Sequence, residues 1–148
     1  MSRFTDDPKR NAQILRALRE KEEDLVRKAE RLARSLAGDG KRPRDKERQL
    51  RNIQEVAEQS ASWAEIELFI RYQAARKEIS VVWADEAIQE LKGLEEIAGS
   101  IVSTADEPLI RRVHLEMVRR VLGYTVRWHV WHVEGEPHLQ QAKQGGAG

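Results

Sequence analysis

The segment Lys41 to Arg51, KRPRDKERQLR, carries six cations against two carboxylates and runs directly into the apolar positions Leu50, Ile53, Val56 and Ala57. Cations repeated along a rigid rod are what a polyanion needs, and planar guanidinium groups match phosphate oxygens. Arg48 and Arg51 stand three residues apart and so share a helix face. Lys41, Arg42 and Arg44 precede them in a Gly- and Pro-flanked loop able to adapt to a backbone, and Lys46 lies among them. Arg71 and Arg76 extend the stripe if their helix packs antiparallel to the one before it, as the short connection suggests. The expected contact set is therefore Lys41, Arg42, Arg44, Lys46, Arg48, Arg51, Arg71 and Arg76, touching sugar and phosphate. Base readout is not expected, because no helix presents the Arg, Asn and Gln cluster of a helix-turn-helix. The plainer reading of the same residues is a solvated basic face.

Charge is sorted along the chain, since the totals nearly cancel at 26 Lys+Arg against 25 Asp+Glu. Asp85 to Glu107 holds seven carboxylates and the single cation Lys92, and Arg111, Arg112, Arg119, Arg120 and Arg127 follow with only Glu116 among them. Such alternation suits a protein that wraps a polyanion on one side or stacks on copies of itself. Other chemistry finds little support. His129 and His132 stand three apart, but His114 lies about 22 Å farther along the same helix and cannot be a third metal ligand. The ordinary reading is a surface histidine pair at a fraying helix end. Glu95, Glu96, Asp85 and Glu86 sit on expected solvated faces with nothing to raise a carboxyl pKa. No P-loop, nucleophile elbow or Ser/His/Asp arrangement is present, and the chain has no cysteine for thiolate metal sites or disulfides. No catalytic residue, cofactor or metal is expected. With no apolar run of bilayer length and no hydrophobic leader, a cytoplasmic location is expected.

The elements that must hold these residues are all helical, and the periodicity predicts five. Asp7-Pro8 opens the first. Leu15, Leu18, Glu22, Leu25, Ala29, Leu32 and Leu36 then follow a 3-4-3-4 seam broken by one charge, ending at Gly38-Asp39-Gly40. Its narrow stripe calls for a partner on one edge, either a helix of this chain or one of another subunit. Asp45 can cap the second helix, which runs to about Gln59 and buries Leu50, Ile53 and Ala57. Ser62 and Glu65 have capping-box spacing at the start of the third, to about Glu78, where Trp63, Ile66, Ile70 and Ala74 with Leu68, Phe69 and Tyr72 suggest a central helix. After an expected turn at Ile79 to Val82, Ala84 to Val102 forms the fourth, weakened or bent at Gly93 and Gly99. Thr104 to Pro108 starts the fifth, with a stripe from Ile110 through Val113, Met117, Val121 and Thr125 to Trp128; Trp128 and Trp131 should pack together. The expected organisation is an all-α, five-helix bundle with a charged N-terminal helical arm: an amphipathic helix over 1–37, a basic loop over 38–44, a bundle over 45–134 and a flexible tail over 135–148.

The order QLRNI at 49–53, LFIRYQAAR at 68–76 and VLGYTVRWH at 121–129 resembles the small helical subunit of type III-A CRISPR effector complexes. The resemblance covers about residues 45–130. In that family a Leu-Arg pair opens the helix after a basic loop, and a tyrosine is followed four residues later by arginine, as Tyr72 and Arg76 are here. It implies a non-catalytic protein present in several copies, stacked along guide-bearing backbone subunits beside a polymerase-like subunit and lining the groove where guide RNA pairs with target RNA. Arg51 and Arg76 match the family's arginines, with Tyr72 packing beside them. Ala75 stands where the family often has glycine, and residues 1–37 are longer than the resemblance accounts for. The sister small subunit of type III-B complexes, also all-helical, is the alternative, and it would change little about the mechanism. The competing class is a coiled-coil adaptor whose Leu15 to Leu36 seam pairs with a protein partner.

Overall fold

The computed structural model describes residues 4–37 and 42–146, and all regular structure among them is helical. The helices are α1 (Pro8–Glu20), α2 (Glu22–Leu36), α3 (Pro43–Gln59), α4 (Trp63–Ala75), α5 (Val81–Val102), α6 (Glu107–Val130) and α7 (Glu136–Gly146), with a π-turn at Trp131–Gly135. Because α6, the π-turn and α7 run on without a break, the described residues form six helical rods, against the five expected.

The expected single helix over the leucine seam is two. At Lys21 the chain tightens, its N–H bonding Leu18 O at 3.1 Å, and a new helix begins with Glu22, Glu23 and Asp24 in its first turn, where carboxylates favour the positive end of the helix dipole. The seam itself is buried inside this chain: Leu18, Leu25, Ala29, Leu32 and Leu36 are closed off, while Ile14 takes the buried place expected of Leu15, which is half-buried. The charge that interrupts it has partners, since Glu22 accepts from the Tyr124 hydroxyl and lies 4.0 Å from Arg120. Residues 4–36 are thus part of the bundle and not an arm.

The centre of the fold is α6, which packs on α2, α3 and α5 and buries Val113, His114, Leu115, Met117, Val118, Val121, Leu122, Thr125, Val126 and His129 among others. The expected central helix, α4, packs on α3 and α5 and leaves Leu68 and Tyr72 exposed. Cross-links fix the directions. Glu22 to Tyr124 and Val26 to Trp128 make α2 parallel to α6, whereas Lys28 to Glu90 and Leu32 to Trp83 make α2 antiparallel to α5. Pro43 to His129 and Ala57 to Arg119 set α3 antiparallel to α6. One end of the bundle therefore gathers the C-termini of α2, α4 and α6 with the N-termini of α3 and α5.

Three buried or part-buried cations close helix C-termini, where carbonyls lack intrahelical donors. Lys46 donates to Leu36 O at 3.2 Å and Ala37 O at 3.4 Å, Arg119 to Ala57 O at 2.8 Å and Ser60 O at 2.9 Å, and Arg10 to Val102 O. At the starts, Asp7 and Asp106 accept from Lys9 N and Leu109 N as expected of caps. Ser62 occupies the N-cap of α4 without a side-chain bond, and Asp45 lies in the first turn of α3, behind Arg42 at the N-cap. Gly93 and Gly99 do not interrupt α5. Of the residues expected as a flexible tail, Glu136–Gly146 form α7, which buries none of its side chains. The seam's expected Gly38-Asp39-Gly40 terminus lies outside the described residues.

Candidate nucleic-acid interface

The basic residues of α3 separate into an outer and an inner set. Arg42 at the N-cap and Arg44, Arg48 and Arg51 on the helix are exposed. The last three are spaced by four and three, so they line one solvent face over about 10 Å of axis. Arg44 stands on the first turn of α3, not in the adaptable loop expected of it. Lys46 is a correction: it is 3 % exposed, turned inward, and spends its ammonium on the end of α2, so it is not available to a ligand. Lys41 lies outside the described residues.

Four of the exposed guanidiniums have a carboxylate close by on their own helix or turn. Arg48 lies 3.9 Å from Asp45, Arg51 3.5 Å from Glu47, Arg71 3.0 Å from Glu67 and Arg76 4.0 Å from Glu78. Their arginine side chains are all more than half exposed. Exposed pairs of this kind contribute only ~0.2–1 kcal/mol, so a phosphate can displace the carboxylate at small cost.

A polar seam that sequence periodicity did not single out ties α3 and α4, the two helices that carry these arginines, together. Gln49 of α3 accepts from Gln73 of α4 and from Asn52, and donates to Glu78 at 3.4 Å, while Glu78 also faces Arg76. This places Arg76 one carboxylate away from the turn of α3 that carries Arg48. The Arg76 guanidinium lies 5.4 Å from the centre of the Tyr72 ring, a cation–π distance, and donates to its hydroxyl at 3.5 Å. Arg71 is exposed on α4 beside the apolar residues Ala74, Val81 and Val82. The signal for the seam lay in Gln49, Asn52 and Gln73, amides at positions that a helical pattern assigns to a buried edge.

The histidines are not the exposed pair expected. His129 is fully buried with Nε2 donating to Pro43 O at 3.0 Å, and His132 is half-buried and stacked on Trp128, ring centroids 5.8 Å apart. Burial, then the Arg34 charge, lowers the His132 pKa below the usual histidine value. Trp131 does not pack on Trp128 but folds over Gly135, where an added Cβ would meet its ring at 2.1 Å. Among the described residues no group of three or more His, Cys, Asp or Glu could hold a metal ion, and no helix is long and apolar enough to cross a membrane. The chain matches no family model, no curated protein and no solved structure.

Proposed function

We propose that this chain is a non-catalytic RNA-binding small subunit of a type III CRISPR ribonucleoprotein, lining the groove that holds the duplex of guide RNA and target RNA. It acts by charge and shape, through arginine contacts to the sugar-phosphate backbone, in a cytoplasmic assembly with backbone and polymerase-like subunits and with copies of itself. The observation that carries the reading is the exposed row Arg44, Arg48 and Arg51 on α3, with Arg76 brought beside it through Gln49 and Glu78. The resemblance in 49–53, 68–76 and 121–129 supplies the assembly; the row supplies the chemistry.

The test is RNA retention by the folded protein. Arg51→Glu and Arg76→Glu should each weaken association with RNA while helicity by circular dichroism stays unchanged. Undiminished retention by both variants removes these residues from the interface. The adaptor reading loses its original basis, because the Leu18 to Leu36 seam is buried within the chain. What favours protein contacts instead is a different, exposed apolar surface.

A further inference from the structure

Among the described residues six large apolar side chains are exposed, and they fall into two groups. On α4 and the start of α5 stand Leu68 (67 %), Tyr72, Val81 and Val82 (78 %), and the two valines line a groove of about 530 Å³ between the C-terminal half of α4 and the start of α5, walled also by Ala74, Ala75, Ala84 and Ile88. Trp131 and Leu139 belong to the π-turn and α7, a helix with no buried side chain whose main packing, among the described residues, is on the π-turn that carries it. A π-turn takes about one residue more than an α-turn, so the eight-residue step from Trp131 to Leu139 makes very nearly two turns and sets both on one face, with Ala142 a turn beyond. An uncovered apolar groove and a largely polar helix with a short uncovered apolar face, Trp131, Leu139 and Ala142, thus exist in the same chain.

They lie at the same end of the bundle, which holds the C-termini of α4 and α6 and the N-terminus of α5. Since α7 continues α6 through the π-turn, it projects beyond that end and away from its own groove. We infer that α7 of one copy docks in the α4–α5 groove of a second copy, and that the exchange is reciprocal. With both surfaces at one end, two copies meeting end to end each offer helix and groove, which closes as a twofold dimer instead of an open chain. Charge agrees with this pairing: Glu134 and Glu136 stand at the root of the projecting helix and Lys143 near its tip, while the groove carries Arg71 on its α4 wall and Asp85 on its α5 wall. The inference gives the expected contact between copies a specific pair of surfaces, and it requires no RNA and none of the α3 arginines.

Two exposed substitutions that leave the core intact test it. Val82→Glu spoils the groove and Leu139→Glu spoils the helix, and each should lower the mass in sedimentation velocity from two chains toward one with helicity unchanged. Covalent capture then identifies the pairing. The chain has no cysteine, so Ala75→Cys mixed with Ala142→Cys under mild oxidation should yield the mixed disulfide dimer in large excess over either homodimer. Wild-type protein that sediments as one chain at all concentrations overturns the inference. So does a dimer indifferent to Leu139→Glu, which would place groove against groove, or one indifferent to Val82→Glu. RNA retention is a separate readout, so loss of either proposal leaves the other standing.

Discussion

Cations in this protein do two different jobs, and burial decides which. Lys46 sits within two residues of Arg44 and Arg48 and was indistinguishable from them in sequence, yet it lies over the end of α2 and satisfies two carbonyls. Lys46→Met leaves those carbonyls without their donor in a buried place, and the expected loss is about 1–3 kcal/mol in urea unfolding with no change in RNA affinity. Arg51→Glu should do the reverse, shifting stability by no more than about 0.5 kcal/mol because the residue is exposed, while RNA binding falls. His132 supplies a pH dependence. Its ring is held below the usual histidine pKa by burial and by Arg34, so the fold favours the neutral form. Stability is then undiminished above the unfolded value of about 6.5 and falls as pH drops through that value toward the lower folded one. His132→Phe should flatten that part of the urea midpoint against pH; a profile unchanged by the substitution would show that the ring's burial has no energetic weight.

At the scale of elements, helical periodicity marked the leucine seam, the α3 core positions Leu50, Ile53 and Ala57 and the run of α5 from Ala84 to Val102, because one apolar face repeated at 3.6 residues is a strong local signal, though α5 begins at Val81 inside the expected turn; the start of α6 came from the capping signal at Thr104 to Pro108. Periodicity misplaced the centre. The α6 sequence interleaves Arg111, Arg112, Glu116, Arg119, Arg120 and Arg127 with its apolar residues, and only the structure shows Arg119 and Arg120 spent on α3 carbonyls and on Glu116 and Glu22. Conversely α4 reads as apolar on most sides, yet Leu68 and Tyr72 face outward. The break at Lys21 and the π-turn carried no local apolar signal at all. An internal seam has its own signature: Leu32→Ala should cost about 2–5 kcal/mol, the range for truncating a buried leucine, and the loss should not depend on protein concentration. A concentration-dependent loss would mean that the seam pairs between chains. Gly135→Ala should disturb the π-turn, read as a change in tryptophan fluorescence, since a methyl there meets the Trp131 ring.

For the molecule as a whole, the sorted charges resolve into working surfaces and internal links. Part of the acidic stretch binds inward, Glu90 to Lys28 at 2.8 Å and Glu86 to Ser35 at 2.6 Å, while Glu95 and Glu96 are exposed as expected. Because α2 covers α6 and α5, deleting residues 1–37 uncovers the core, and the 45–130 segment should lose cooperative unfolding instead of folding alone. The candidate site was partly legible: Arg42, Arg44, Arg48, Arg51, Arg71 and Arg76 are exposed as expected, whereas the link joining α3 to α4 through Gln49, Gln73 and Glu78 depends on tertiary packing that no local pattern encodes. The most direct test of the α3 row is the salt dependence of RNA binding by the intact chain. Each phosphate neutralised on a single strand contributes about −0.7 to the slope of log affinity against log salt, so replacing Arg48 and Arg51 by glutamate should weaken binding and reduce the slope's magnitude by at least about 1.4. A double variant that binds RNA with the affinity and the slope of the unaltered protein would contradict the account.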